Sequence, residues 1–340
     1  MTLNEKTYGC LLGVAIGDAM GLPLECKSPT EIREKFGYVD TYISNKTHHF
    51  AEVSKEPIGT ISDDTQLTLA MMDALKGKYS IDRIKQSHIE ASNGKWGTPV
   101  GWGKTTRTAI ANLKEGKNPS HVVNGAGNGT CMKIAPLAIF FAYKAQGKFS
   151  DKHNMLLMKK CHEINNLTHG DQRCSVAAYC QARMIIRAMQ DEIPYDSRQI
   201  SDMIIKDSID AEGMLAWEID ESLVMLSDRL IEFHTDRYSD KSTSFVSRQI
   251  CTSQSSFILN SYPLVAYCLA KYLPYRNFKY AITETINAGA DADSNGSMVG
   301  AVAGALWGIS VIPTNFVTPI RKWQMITAQI KEFEQKLKEK

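Results

Sequence analysis

Two stretches of the sequence carry a glycine at every fourth position: GCLLGVAIGDAMG (Gly9–Gly21) and GSMVGAVAGALWG (Gly296–Gly308). On a helix this spacing lines the glycines along one face. Each glycine inside a helix costs about 0.5–1 kcal/mol relative to alanine, so the pattern needs a compensating interaction. Close approach of two helix backbones provides one. We therefore predict two core helices that pack against each other, with the C-terminal end of the first and the N-terminal end of the second at a common site.

The rest of the chain is predicted to be mainly helical, because apolar residues recur at helical spacing. The segments with this pattern are Leu67–Lys76, Asp82–Ala91, Thr105–Leu113, Met155–Ile164, Ser175–Met189, Gln199–Ile209, Ala216–Ser227 and Pro263–Tyr272. An amphipathic C-terminal helix is predicted over 322–340, where Ile326, Ile330, Phe333 and Leu337 form one apolar stripe. Strand candidates are few and short, so the sequence predicts an all-α fold.

The chain shows no strong linker, so residues 1–340 are predicted to form a single compact multi-helix domain. The most polar long stretch, His234–Ser256, contains neither proline nor glycine. We predict that it forms a long loop over the functional site.

Composition gives no argument for binding to nucleic acid or membranes, since the net charge is +2 and 43% of the residues are hydrophobic. None of the eight cysteines belongs to a C-x-x-C pair, which favours reduced thiols in an intracellular protein. The N-terminus lacks a basic start and Asp18 interrupts its apolar run, unlike a signal peptide. We expect a cytoplasmic monomer, and the sequence leaves open its export into another cell.

Two acidic clusters each precede a predicted helix: Ser62–Thr65 (SDDT) and Asp291–Ser294 (DADS). Helix capping would account for one aspartate in a cluster, but not for two with neighbouring hydroxyls. Carboxylate and hydroxyl oxygens are the ligands that Mg²⁺ prefers and Mn²⁺ accepts. The sequence therefore predicts a binuclear metal cleft whose ligands are Ser62, Asp63, Asp64, Asp291, Asp293 and Ser294.

Six motifs, in order along the chain, resemble those of the ADP-ribosylglycohydrolase family. This family includes the bacterial dinitrogenase-reductase-activating glycohydrolases and the animal ADP-ribosyl-acceptor hydrolases. The motifs are GVAIGDAMGLPLE (Gly13–Glu25), SDDTQ (Ser62–Gln66), GWGKTT (Gly101–Thr106), GNGTCMKIAPL (Gly127–Leu137), LTH (Leu167–His169) and GADADS (Gly289–Ser294). Each motif alone is weakly specific, whereas the ordered set is highly specific. The chain departs from the family pattern at Lys133, Ala290 and Ser294, where the family has Arg, Gly and Thr.

The resemblance implies an all-α fold with two Mg²⁺ or Mn²⁺ ions that cleaves the bond between ribose C1″ of ADP-ribose and a protein side chain. The partners would be an ADP-ribosylated protein as substrate and ADP-ribose as product. The family's substrate-binding positions fall on Gly101, Gly103, Thr105, Gly127, Asn128, Gly129, Thr130, Met132 and His169. Glycines suit such positions because they let backbone N–H groups approach phosphate oxygens.

The catalytic candidates are Asp63, Asp64 and Glu25, the last of which falls on an acidic residue near the family's metals. Either Glu25 or one of the aspartate pair would supply the proton that a guanidinium leaving group needs. We favour the aspartates for metal ligation with one sharing proton transfer, and Glu25 for positioning the ribose or the water. Taken alone, Glu25 is typical of a solvated acid and His169 of a core histidine.

The function predicted from the resemblance is hydrolysis of mono-ADP-ribosyl arginine on a protein. One alternative is an O-linked acceptor such as serine, or a small ADP-ribose metabolite. A second alternative is a pseudoenzyme that binds ADP-ribose without catalysis. The pseudoenzyme is less favoured, because such a protein could lose a metal-binding acid without unfolding and all four are present here.

Overall fold

A computed structural model describes residues 1–117, 125–145, 147, 149–216, 223–234, 238, 240–251 and 255–339. Every regular element in these ranges is helical, which confirms the predicted all-α, single-domain fold. The α-helices are α1 Leu3–Gly21, α2 Pro29–Phe36, α3 Ala51–Ser54, α4 Asp63–Leu75, α5 Ile81–Ser92, α6 Lys104–Lys114, α7 Ala135–Ala145, α8 Asp151–Asn165, α9 Gln172–Met189, α10 Ser197–Met214, α11 Leu226–Phe233, α12 Thr243–Ile250, α13 Ile258–Tyr272, α14 Phe278–Ile286, α15 Ala292–Trp307, α16 Thr314–Val317 and α17 Trp323–Lys338.

Most helices predicted from apolar spacing are present, with ends shifted by a few residues. The shifts follow the caps: Ser80 accepts from the N–H of Arg83, and α5 begins directly after it. Half of the predicted helix Ala216–Ser227 lies outside the described residues, which omit 217–222. Of the described half, residues 216 and 223–225 are not helical, and α11 begins only at Leu226.

The stretch His234–Ser256 is not one long loop, as the sequence predicted. Positions 235–237, 239 and 252–254 lie outside the described residues, but α12 occupies Thr243–Ile250. Ser242 caps α12 by accepting from the N–H of Phe245, and Val246 and Ile250 are buried on its inner face. A single apolar pair at i, i+4 in a polar stretch was too weak a signal to predict this short helix.

The two glycine-rich helices pack against each other at the centre of the fold, as predicted. Pairs of glycines face one another along their length: a Cβ on Gly13 would lie 2.0 Å from the carbonyl oxygen of Gly300, and one on Gly9 would lie 2.2 Å from that of Gly304. The pairing order makes α1 and α15 antiparallel. Gly308 is an exception to the predicted stripe, since it ends α15 with a φ of +69°.

Helix α1 is buried by its own protein along nearly its whole length. By length and composition the segment Leu3–Leu24 could cross a membrane, but 94% of its apolar window is covered inside the fold. The buried Lys6 side chain donates to the carbonyl oxygens of Ala188 and Met189 at the end of α9. Helices α4, α7, α9, α14, α15 and α17 all contact α1.

A methyl group added at the α1–α15 contact is expected to destabilise the protein. Gly13→Ala places Cβ against backbone atoms that have no rotamer to change, so we expect a loss of about 1–3 kcal/mol or more in the free energy of unfolding. Gly213→Ala is the matched control, because a Cβ at that helical glycine meets nothing within 4 Å. The control should gain up to about 1 kcal/mol from helix propensity. Denaturant unfolding of both variants measures the difference, and equal stabilities would contradict close backbone packing.

Candidate active site

The contact between α1 and α15 brings Glu25 beside the second acidic cluster. Five residues after α1 ends, the chain pairs with the segment before α15: the N–H of Cys26 donates to the carbonyl oxygen of Ala290 at 2.7 Å, and the N–H of Ala290 donates to that of Lys27 at 2.9 Å. Ala290 adopts a φ of +60° in this turn. Such a conformation favours glycine, so an alanine here stores a modest backbone strain.

Asp18, near the end of α1, holds the first acidic cluster in place. Its fully buried carboxylate accepts from the N–H of Ser62 at 2.9 Å and from the N–H of Thr65 at 3.1 Å. The hydroxyl of Thr65 donates to the same carboxylate. Donors at the start of α4 are thus satisfied by an acid from another helix.

The carboxylates of the two acidic clusters do not cap the helices that follow them. At α4 the cap is Ser62, whose hydroxyl accepts from the N–H of Asp64. At α15 the N-cap residue Asp291 makes no side-chain cap bond, and its carboxylate accepts instead from the side-chain amide of Asn128 at 2.6 Å. Capping therefore does not explain why these carboxylates are present.

The two clusters meet at Asp64. The hydroxyls of Ser62 and Ser294 donate to Asp64 Oδ2 at 3.2 and 3.1 Å, while Asp64 Oδ1 is buried without any hydrogen-bond partner. Carboxylate oxygens of Asp18, Asp64 and Asp293 lie within 4.8 Å of one another, and so do those of Glu25, Asp291 and Asp293. An orphaned buried carboxylate oxygen among converging acids fits a divalent cation.

Burial and mutual repulsion shift the pKa of these acids upward. Burial raises the pKa of Asp291 to about 6, and the charge of Glu25 adds to this. Burial, followed by neighbouring carboxylates, raises the pKa of Asp63, Asp64 and Asp293 well above the usual value. A cluster whose ionised form is this costly accepts cations readily, because positive charge removes the cost.

The acids open into one cavity of about 490 Å³. Of the predicted site residues, those that line it are Glu25, Asp63, Gly101, Gly103, Thr105, Gly127, Asn128, Gly129, Met132, His169, Asp291, Asp293 and Ser294. The other three, Ser62, Asp64 and Thr130, are fully buried behind its wall. These three act on the cavity through the residues that they contact.

One wall of the cavity is the loop Gly101–Gly103, which is fastened to α4. The indole N–H of Trp102 donates to Gln66 Oε1 at 2.6 Å, and the N–H of Gly103 points at Asp63 Oδ2 from 3.4 Å. Gly101 has a φ of +73° and its α-carbon faces Ser62. The loop thereby presents backbone rather than side chains to the space beside Asp63.

The opposite wall combines Gly127–Thr130 with His169. The hydroxyl of Thr168 lies 2.8 Å from His169 Nδ1, and a Cβ on Gly129 would lie 2.6 Å from His169 Cε1, so a side chain there would displace the imidazole. Burial, with the nearby charge of Lys133, lowers the pKa of His169 to about 3. His169 therefore presents a neutral imidazole to the cavity near neutral pH.

Lys133, which replaces the family's arginine, is fully buried behind this wall. Its ammonium donates to the hydroxyl of Thr168 at 3.3 Å. Burial lowers its pKa to about 7, against an opposing effect from the charge of Asp63. Unlike arginine, a buried lysine can lose its proton.

Several residues that line the cavity were not named as site residues from the sequence. Trp102, Lys104 and Thr106 belong to the predicted motif Gly101–Thr106, whereas Cys26, Phe50, Glu52, Arg107, Ser255 and Ser256 lie outside every predicted motif. Asp18 was missed as a site residue as well, although a lone acid inside the apolar run of α1 was a signal for it. His48 contacts Glu25 but stands in no recognisable motif, so no sequence signal marked it.

Comparison with known proteins places the chain in a family of hydrolases. The family model described as ADP-ribosylglycohydrolase matches residues 1–340. The chain is 25% identical over 321 residues to the ADP-ribosyl-[dinitrogen reductase] glycohydrolase of Rhodospirillum rubrum, covering 94% of this chain and 91% of the relative. It is 21% identical to human ADP-ribosylhydrolase ARH3, covering 92% of this chain and 88% of that protein.

Two further proteins are similar along most of their length. The ADP-ribosylarginine hydrolase Tri1 of Pseudomonas putida is 23% identical, with 93% of this chain and 74% of the relative covered. A solved structure described as an ADP-ribosylglycohydrolase-related protein complex superposes with a TM-score of 0.68 at 17% identity, covering 98% of this chain and 99% of that one. At this identity the structural likeness shows the shared fold.

Removal of one carboxylate charge from the second cluster is expected to weaken cation binding without unfolding the protein. Asp291→Asn keeps the shape of the side chain but removes its charge, so we expect Mn²⁺ affinity to fall about 10-fold or more. Asp202→Asn, at an exposed position on α10, is the matched control. Titration calorimetry with Mn²⁺ measures the affinity, and circular dichroism checks the fold. Wild-type Mn²⁺ affinity in Asp291→Asn would exclude this residue as a ligand.

Proposed function

We propose that this chain, which belongs to the ADP-ribosylglycohydrolase family, removes mono-ADP-ribose from arginine side chains of proteins. As a family member it is an ADP-ribosyl hydrolase that acts on ADP-ribosylated substrates and yields ADP-ribose. The observation that carries the proposal is the convergence of Glu25 and both acidic clusters on one cavity walled by glycine loops. Support for arginine comes from the similarity to a protein named as an ADP-ribosylarginine hydrolase.

The metal ligands in this proposal are the two acidic clusters. Two Mg²⁺ or Mn²⁺ ions would be held by Asp63, Asp64, Asp291 and Asp293, with Ser62 and Ser294 supplying hydroxyl oxygens. When bound, such ions supply the positive charge that holds hydroxyls and lowers the pKa of water. Four carboxylates balance the charge of two divalent ions.

The glycine loops and His169 are proposed to bind the ADP-ribose moiety. Backbone N–H groups of Gly101–Gly103 and Gly127–Gly129 can approach phosphate and ribose oxygens because no Cβ intervenes. His169, neutral and fixed by the hydroxyl of Thr168, offers one nitrogen for hydrogen bonding to a sugar or phosphate oxygen. Lys104 and Arg107, at the cavity edge, add positive charge for the pyrophosphate.

Hydrolysis requires two proton transfers at ribose C1″. The oxygen of a water forms a bond to C1″ and gives up one proton to a base as the C1″–N bond breaks, and the leaving guanidine nitrogen takes up a proton from an acid. Of the three predicted catalytic acids, Glu25 and Asp63 line the cavity, whereas Asp64 is fully buried. We therefore assign proton exchange with the reacting groups to Glu25 and Asp63, and assign to Asp64 the role of joining the two clusters.

One experiment tests the arginine acceptor together with its two alternatives, serine and a small ADP-ribose ester. Peptides carrying ADP-ribose on arginine or on serine, and a small ADP-ribose ester, are incubated with the protein in Mg²⁺, in Mn²⁺ and in chelator. We expect ADP-ribose release from the arginine-linked peptide, its loss in chelator, and its recovery when the ion returns. Release from the serine-linked peptide or the ester alone would replace the arginine assignment. ADP-ribose binding without any release would indicate a pseudoenzyme.

Substitution of Glu25 is expected to lower turnover more than binding. Glu25→Gln keeps the shape of the side chain but cannot exchange a proton, so single-turnover hydrolysis should slow about 10²–10⁴-fold. Affinity for free ADP-ribose should change little, whereas Asp63→Asn should reduce both. Glu34→Gln, at an exposed position on α2, is the control and should behave as wild type. Hydrolysis by Glu25→Gln at the wild-type rate would remove Glu25 from the mechanism.

A further inference from the structure

His48 contacts the side chain of Glu25 from outside the predicted motifs. His48 Nε2 lies 2.9 Å from Glu25 Oε2, and the imidazole is fully buried while 14% of the Glu25 side chain is exposed. Glu25 sits at the cavity, and His48 sits behind it. The contact is therefore a buried hydrogen bond to a carboxylate that faces the substrate space.

The backbone determines which imidazole nitrogen carries the proton. The N–H of Phe50 lies 3.1 Å from His48 Nδ1, and a backbone N–H can only donate. Nδ1 must therefore be the unprotonated acceptor, and the proton of the neutral ring is on Nε2. His48 Nε2 donates this proton to Glu25.

The imidazole is fixed in position by its own loop. The ring of His48 stacks on that of His49 with centroids 4.6 Å apart, and the ring of Phe50 lies 5.6 Å away. At the base of the loop, the buried Asn45 side chain donates to the carbonyl oxygens of Glu56 and Pro57. A donor held this firmly restricts the rotamer of the acid that it contacts.

Glu25 needs such a restraint because its neighbours repel it. Its backbone is fixed by the bonds between Cys26, Lys27 and Ala290, but these leave the side chain free to rotate. Its carboxylate oxygen lies within 4.8 Å of oxygens of Asp291 and Asp293. Besides His48, the described contact of this carboxylate is a weak one from Cys26 Sγ at 3.9 Å.

We propose that His48 is a positioning residue, which holds the Glu25 carboxylate at the cavity wall by donating from Nε2. Glu25 Oε2 is occupied by this bond, which leaves Oε1 for the reacting groups. Without the donor, nothing opposes the repulsion from Asp291 and Asp293, and the Glu25 carboxylate rotates away from the reacting atoms. The effect on turnover rests on the proposed function, whereas the tautomer of His48 does not.

Two substitutions separate donation from packing. His48→Leu keeps much of the volume but donates nothing, so the single-turnover rate should fall about 10–100-fold while ADP-ribose affinity changes less than about threefold. His48→Gln places an amide N–H near the position of Nε2 and should restore most of the rate. Thr47→Val, in the same loop but exposed and outside the stacked rings, is the matched control and should behave as wild type.

Nitrogen NMR of the histidine rings tests the geometry independently of catalysis. In the wild-type protein the His48 signal, identified by its loss in His48→Gln, should show the proton on Nε2, and this signal should shift in Glu25→Gln. A proton on Nδ1, an unchanged rate in His48→Leu, or equal rate losses in the Leu and Gln variants would overturn the proposal. A wild-type protein that hydrolyses no substrate would overturn the proposed function instead, and the NMR result would still support or refute the role of His48.

Discussion

The fold depends on the backbone-to-backbone contact between α1 and α15. A Cβ added at Gly13 would lie 2.0 Å from the facing carbonyl oxygen of Gly300, which is closer than van der Waals contact allows. The same overlap would occur at Gly300 and along the whole contact. Because neither helix presents side chains there, the distance and register of the pair are set by main-chain atoms. Helices α4, α7, α9, α13, α14 and α17 pack against this pair, whose geometry leaves little freedom.

This contact explains how charged groups come to lie deep inside the protein. Antiparallel packing places the end of α1 beside the start of α15, and so delivers Glu25 to Asp291 and Asp293. Asp18 lies about one turn before the end of α1. It holds the first cluster at the same place by accepting from the N–H groups of Ser62 and Thr65. Backbone donors and hydroxyls satisfy part of the acids' bonding capacity, and the orphaned oxygen of Asp64 is left able to bind a cation.

The cavity wall consists of separate segments, each of which holds a different group at the cavity. Loops rich in glycine bring main-chain N–H groups to the space beside Asp63, and Trp102 fastens one of them to α4. On the other side His169 is kept neutral by burial and fixed by Thr168. The loop that carries His48 adds a third part, which orients Glu25 without touching the substrate. In each case an orienting residue stands behind the group that faces the cavity.

The sequence alone determined the all-α class, the pairing of the glycine helices and the membership of the acidic clusters, because helical periodicity and motif order are local properties of the chain. Its failures have a physical cause. The short helix α12 rests on the burial of Val246 and Ile250 where it packs against α13 and α2, and its own polar sequence does not indicate these contacts. Only the tertiary structure decided that Asp18 accepts from the N–H of Ser62 at the start of α4 and that His48 donates to Glu25. Each of these hydrogen bonds joins residues 23 or more positions apart. No local pattern encodes such a bond; it exists only once packing has brought the two segments together.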